Sequence, residues 1–325
     1  MGQYVIRRIL WSFVMLVLVV GLVFVIFFVL PGSAGATGEN QKYPPVAIRI
    51  AGKQPTPATI EAIIDRLGLD RPVPIQFATY IGNAVQGDLG YSYQTQEPVT
   101  QAVLRRFPPT LSLAFGASIL WLLMGCSLGV ISALRRRTLL DRSTMIAALF
   151  GVSLPIFWLG LMAVFFFDSQ LGVYNTGDYT SLFSNPLKWL SIMWLPWLVL
   201  AVTYAAIYSR MVRGNMLEVA GEDYIRTARA KGLRERSVIR HKLRSALTPV
   251  VTMYGLDLGL LLGGAIITES IFNIPGIGSY TVTAIAQQNL PVILGTTVIA
   301  SFFIIFSNLL VDILYAVLDP RVTYS

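Results

Sequence analysis

Ile9 to Leu30 is a run of 22 residues without a charged side chain. As a helix it would be about 33 Å long, enough to cross a hydrocarbon core of about 30 Å. Similar runs recur at Thr110 to Leu134, Thr144 to Phe167, Trp189 to Ser209, Leu247 to Thr268 and Val292 to Leu318. The spacing therefore predicts an all-α membrane protein with six transmembrane helices. The chain is 54% hydrophobic and only 13% charged, with a mean hydropathy of +0.64, more apolar surface than a soluble chain of 325 residues needs.

The first run has a second reading as a cleaved signal peptide, because Arg7 and Arg8 precede it and Ala34, Gly35 and Ala36 follow. A signal peptide's apolar core is about 7 to 15 residues, so the longer run reads as a retained anchor with a cytosolic N-terminus. With both termini in the cytosol, 17 of the 25 Lys and Arg residues fall on the cytosolic side, as the positive-inside rule requires. The net charge of +8 is then a topology signal and not a nucleic-acid footprint.

Little in the chain can do covalent or metal chemistry. Cys126 and His241 are the only residues of their types, no HExxH or GxSxG pattern occurs, and Gly52-Lys53 lacks the rest of a phosphate-binding loop. No catalytic residue, no metal site and no ATP hydrolysis are expected of this chain.

Three parts follow: residues 1–30, the N-terminus and first span; 31–109, an extracytoplasmic segment; and 110–325, a five-span core that includes a cytosolic loop at 210–246. The outer segment is too structured for a linker. Thr56 is placed to N-cap a helix with Pro57 in its first turn, Ile60, Ile63, Ile64 and Leu67 make one apolar face, and Gly68 stops it. Pro72 and Pro74 open a second helix, Gln86 to Tyr93 reads as a turn presenting aromatics, and Pro98 to Phe107 as a third short helix. Their apolar faces need a partner: the tops of the spans, the membrane interface or a docking protein.

The cytosolic loop reads as a basic helix pair. Glu222 and Asp223 begin the first helix and Arg226, Arg229 and Lys231 lie toward its end, which complements the helix dipole, with Glu222 and Arg226 spaced for an ion pair. Gly232 stands where a left-handed cap is wanted. A second helix begins near Leu233, with Arg236, Arg240 and Arg244 on one side and Ile239, Leu243 and Leu247 on another. One reading is a basic helix lying on anionic lipid. The small-residue turn Ala228-Arg229-Ala230-Lys231-Gly232 instead suits insertion into a groove on another protein.

Here a resemblance becomes specific. The segment Glu222-Asp223-Tyr224-Ile225-Arg226-Thr227-Ala228-Arg229-Ala230-Lys231-Gly232-Leu233 resembles the cytoplasmic coupling loop of binding-protein-dependent ABC importer permeases. The general pattern there is Glu-Ala-Ala, three residues, then Gly; Arg226 and Thr227 replace its first two residues, so no role is carried onto Arg226. Leu67 to Pro74, Gly87 to Gly90, Pro108 to Leu111, Leu154 to Gly160, Phe272 to Gly278 and Asp319 to Arg321 are similar in type and order to the B-type permease subunit of oligopeptide and dipeptide importers. The resemblance implies a type I importer fold in the bacterial cytoplasmic membrane. It also implies a homologous second permease (C-type), one or two cytosolic ATPase subunits or a fused one binding ATP and Mg, and an extracytoplasmic peptide-binding protein. The same branch imports nickel, haem and glutathione; nickel is least favoured, because the spans lack His and Cys ligands.

Acids inside spans are functional candidates, because insertion costs roughly 2.5 to 3.5 kcal/mol. Asp257 and Glu269 are read as candidates on one helix, Asp257 to line the pathway and attract a peptide's amino terminus, against a bond to a neighbouring span. Asp312, near Asn308 and Tyr315, reads as a structural hydrogen bond. Gly255, Gly259 and Gly263 make one small face for close helix packing that allows sliding. Two other classes stay open. A proton-coupled secondary transporter would be expected to show inverted repeats and carboxylate relays, and an intramembrane enzyme would need a catalytic pair.

Overall fold

The computed structural model describes residues 2–30, 43–52, 56–175, 177 and 179–318. Ala34, Gly35, Ala36, Lys53 and Asp319 to Arg321 lie outside the described residues, as does the Tyr315 side chain. The architecture is helical. In chain order it runs α1 (Gly2–Phe24, prolonged by a π turn at Val25–Val29), α2 (Pro45–Ala51), α3 (Pro57–Leu67) and α4 (Val73–Val85). A two-residue hairpin of β1 (Tyr91–Ser92) and antiparallel β2 (Glu97–Pro98) follows. Then come α5 (Val99–Leu134), α6 (Leu139–Ser153), α7 (Ile156–Val164), α8 (Pro186–Val219), α9 (Asp223–Ala230) and α10 (Glu235–Ala246). The chain continues through α11 (Thr248–Leu262), α12 (Ile266–Ile271), α13 (Ile277–Ala286) and α14 (Leu290–Leu318).

Four helices are long and apolar enough to cross a membrane, and up to six spans result if two bent helix pairs each count as one. The outward faces are correspondingly apolar: Leu10, Trp11 and Phe13 of α1 are 60%, 57% and 60% exposed. The third expected span, Thr144 to Phe167, is not one helix. A proline disfavours helical geometry in the residue before it; Leu154 is accordingly extended (φ −84°, ψ 126°), and the chain turns by 96° between α6 and the helix beginning at Ile156. The fifth, Leu247 to Thr268, is also broken. α11 stops at Leu262, and Gly264 at φ +120° lies so close to the Gly278 backbone that an added Cβ would sit 2.9 Å from its Cα. Glu269 is therefore on α12 and not on the helix of Asp257.

At Pro108-Pro109 the reverse happens. The expected short helix at Pro98 to Phe107 is the first part of α5, which runs unbroken for 36 residues. Ala102, Val103, Pro109 and Thr110 are buried, and tertiary packing holds the helix through the missing N–H groups.

The core centres on α5 and α8, with Leu113, Trp121, Met193, Leu195, Leu200 and Tyr208 fully buried. Their backbones meet at glycines: an added Cβ on Gly125 would lie 2.7 Å from Tyr208 Cβ, and one on Gly129 2.7 Å from the Ser209 carbonyl. The Gly255 and Gly259 face of α11 packs in the same way on α14, where a Cβ on Gly259 would fall 2.6 Å from Ser307 Cβ. Gly259→Val should therefore lower stability by about 1 to 3 kcal/mol, read as a lower melting temperature in detergent; an unchanged melting temperature would show that the seam is loose.

The outer segment packs onto the tops of α1 and α14. Thr56 Oγ1 accepts from the Thr59 N–H at 3.3 Å, Gly68 adopts φ +61°, and Ile60 and Ile63 pack with Val46, Ile50, Val23 and Leu294. Phe24 of α1 meets Phe77 of α4 at 5.3 Å. Arg66 of α3 pairs with Asp88 at 2.9 Å. Burial alone would raise the Asp88 carboxyl, but the Gly90 N–H and the Arg66 guanidinium outweigh it and hold it below its ordinary value.

Candidate functional site

The loop after α8 is a helical hairpin carried on the end of that helix. α9 closes with a Schellman motif: Leu233 N–H donates to Ala228 O at 3.2 Å and Gly232 N–H to Arg229 O at 2.9 Å. Both bonds require a left-handed residue at position 232, and Gly232 supplies φ +75°. Arg229 reaches across the turn to Glu235 at 2.9 Å; that hydrogen bond raises the guanidinium above its ordinary value. The inner face holds Ile225 and Val238 fully buried. Tyr224 and Ser245 hydroxyls lie 2.9 Å apart, and Asn215 of α8 donates to Ala246 O at 3.1 Å.

The outer face is free. Ala230, Lys231, Gly232, Leu233 and Arg234 to Arg236 are exposed in sequence, with Ala228 half-buried, and a Cβ added to Gly232 would meet no heavy atom within 4 Å. The expected Glu222 to Arg226 pair is replaced. Glu222 is the N-cap residue and Arg226 meets Asp223 at 3.4 Å instead, because the cap lies outside the regular turn that would bring residue i to i+4. The second helix begins at Glu235, two residues after Leu233.

The three acids associated with spans have distinct partners. Asp257 Oδ2 accepts from the Tyr208 hydroxyl of α8 at 2.7 Å. Asp312 of α14 pairs with Arg8 of α1, an inter-helix ion pair that local spacing did not predict; the Tyr315 side chain lies outside the described residues. Glu269 is fully buried. Its Oε1 accepts from Thr110 Oγ1 at 2.7 Å and its Oε2 from the Ser279 N–H at 2.8 Å. Thr110 Oγ1 in turn accepts from the Ile277 N–H at 2.9 Å. The carboxylate thus sits against the N-terminus of α13, and Gly276 and Gly278 make the room, since a Cβ on either would collide with it. Glu269 ties α5, α12 and α13 together.

One acidic joint escaped the sequence reading. Asp141, at the start of α6 and nearly fully buried, accepts from Arg213 Nε at 2.6 Å and Nη2 at 3.0 Å. It also accepts from Ser132 Oγ at 2.5 Å and the Arg137 N–H at 2.9 Å. It locks α5, α6 and α8 together where α8 continues toward the loop. Its signal was an acid beside a Thr138 N-cap, which local spacing alone does not connect to an arginine 72 residues away. Among the described residues no group of three His, Cys, Asp or Glu side chains could hold a metal ion.

Residues 125–324 match the family described as binding-protein-dependent transport system inner membrane component, and residues 1–114 match its N-terminal companion. A protein of Brucella abortus, provisionally named a peptide transport system permease protein, is 39% identical over 326 residues, covering 100% of both chains. A glutathione transport system permease protein of Pectobacterium atrosepticum is 39% identical over 327 residues, again covering 100% of both. A further glutathione transport system permease protein, from Escherichia coli, is 39% identical over 326 residues and 100% of each chain. With full-length relatives and both family segments matched, the chain belongs to the binding-protein-dependent transport system inner membrane component family and is a membrane permease subunit, not an enzyme.

Proposed function

We propose that this chain forms half of the translocation pathway of an ATP-driven importer for peptides or glutathione. It acts beside a homologous second permease. The ATPase chain or chains bind ATP and Mg on the cytosolic side, and an extracytoplasmic binding protein delivers the solute. Six spans place both termini in the cytosol. The α9–α10 hairpin seats in a cleft of an ATPase domain and moves when two such domains close on nucleotide, rocking the spans between inward-open and outward-open states. The observation that carries this reading is the exposed Schellman turn at Gly232: a conformation fixed by two hydrogen bonds, presented on a polar loop, with none of the described residues covering it. A lipid-surface helix needs an apolar face turned to the membrane, whereas the apolar residues Ile225 and Val238 face inward.

The test separates backbone strain from docking. A non-glycine residue in left-handed geometry costs roughly 1 to 2 kcal/mol, and Asn tolerates it better than most. Gly232→Asn should retain most of the uptake by the reconstituted complex. Gly232→Trp should lower uptake at least about tenfold, equivalent to 1.4 kcal/mol of lost docking, and to well below that of Gly232→Ala, which imposes a similar left-handed strain without the bulk. Coupled uptake undiminished in Gly232→Trp would remove the loop from the coupling path. The relatives named for peptide and for glutathione transport are equally similar, so competition of labelled dipeptide and glutathione for uptake decides between the two solutes.

A further inference from the structure

Three of the acids set among the spanning helices have their charge answered. Asp141 holds Arg213, Asp312 holds Arg8, and Glu269 takes a hydroxyl and the N–H groups at a helix start. Asp257 accepts a hydrogen bond from a neutral phenol, Tyr208 at 2.7 Å, and among the described residues none of the ion pairs includes it. It stands tenth of the 15 residues of α11, about 14 Å along the helix. Its neighbours Gly255 and Gly259 pack on α14, whereas Asp257 points to α8, so α14 cannot supply the missing cation.

Around this carboxylate the fold gathers aromatic rings. Trp121, fully buried, stacks on Tyr204 at 4.6 Å and meets both Tyr208 and Tyr254 at 6.1 Å. Ser118 Oγ lies 3.3 Å from the Tyr254 hydroxyl. Trp121 and Tyr208 close the back of the cluster, while Tyr204, Tyr254 and Asp257 are only half-buried and form its open side. A carboxylate flanked by ring faces attracts a compact cation through charge and through the ring quadrupoles together.

We infer that the Asp257 cluster is a transient binding site for the substrate's α-ammonium group, with Tyr204 and Tyr254 as its aromatic walls and Tyr208 as the residue that positions the carboxylate. The site deepens the peptide-import reading and rests on it: a peptide and glutathione both carry a free α-ammonium. The Tyr208 hydroxyl keeps one hydrogen bond on the carboxylate. A site that fills and empties needs such a bond, to hold the carboxylate's orientation and soften its charge while no cation is present.

The test uses the whole reconstituted complex in proteoliposomes, with the same binding protein throughout. Uptake of trialanine is compared with uptake of N-acetyl-trialanine, in wild type, Asp257→Asn, Asp257→Glu and Tyr254→Leu. The binding protein's own preference is common to all and divides out of the ratio between variants. The expected result is that Asp257→Asn lowers the preference for the free amine at least about tenfold. Tyr254→Leu should lower it less, and Asp257→Glu should keep it. An unchanged preference in Asp257→Asn overturns the site, as does failure of Asp257→Asn to assemble with the second permease, which would assign the carboxylate to a subunit contact. Uptake of neither compound by wild type would instead bring down the peptide reading, and the site with it.

Discussion

Arg213→Ala should cost the folded chain about 3 to 5 kcal/mol, the usual price of removing one partner from a buried ion pair. Asp141 is only 4% exposed, so its charge would be left without the guanidinium that makes two of its hydrogen bonds at 2.6 and 3.0 Å. The Ser132 hydroxyl and the Arg137 N–H would remain, but they are dipoles and do not cancel a full charge. The loss appears as a lower midpoint of unfolding in mild detergent and as poor recovery of the α5–α6–α8 core. Arg213→Met combined with Asp141→Leu should recover most of it, because apolar groups of similar size replace a buried pair at little cost. Arg213→Ala with wild-type stability would mean that water reaches Asp141 and that the joint is not closed.

The second large effect is expected at Glu269. Glu269→Ala removes the acceptor for the Thr110 hydroxyl and the Ser279 N–H in a place where no solvent replaces it. Unsatisfied buried donors cost about 1 to 3 kcal/mol each, and the vacated volume adds to this, so a loss of about 3 to 5 kcal/mol is expected. Glu269→Gln keeps the shape but brings an NH2 group into a site built for acceptors, and should lose about half as much. Hydrogen exchange should localise the damage to the start of α13, whose N–H groups lose their acceptor. Uniform exchange across α13 in wild type and variant would show that the carboxylate does not hold it.

What the sequence made legible was local. Apolar runs located the spans, Thr56 and Gly68 bounded α3, and Gly232 marked a left-handed turn, because each signal lies within one helix or at its end. The prolines were legible only in part. Pro155 broke an expected span, since nothing buried around it favours a straight helix, whereas Pro108 and Pro109 sit inside α5 because residues on both sides are locked into the core. Partners distant in the chain were not legible at all. Thr110 and Glu269 are 159 residues apart, and Arg8 and Asp312 are 304 apart. A single sequence contains each residue type but not the fold that brings the pair together. The close approach of α8 to Gly125 and Gly129 of α5 is equally invisible in a single sequence.

α8 runs without a break where the α6–α7 segment is sharply bent. Its 34 residues form a rod about 51 Å long, clamped to α5 by backbone contact at Gly125 and Gly129 and pinned at one end by Asp141. Such a rod resists bending, so a tilt of about 5° imposed where Asn215 grips the loop would swing its far end by about 4 Å. The adjustable joints lie elsewhere, at Leu154-Pro155 and at Gly263-Gly264, where no continuous helix resists rotation. A tilt of α8 imposed at one end therefore reappears at its other end, whereas a tilt of α6 or α11 meets a break in the helix at Leu154-Pro155 or Gly263-Gly264.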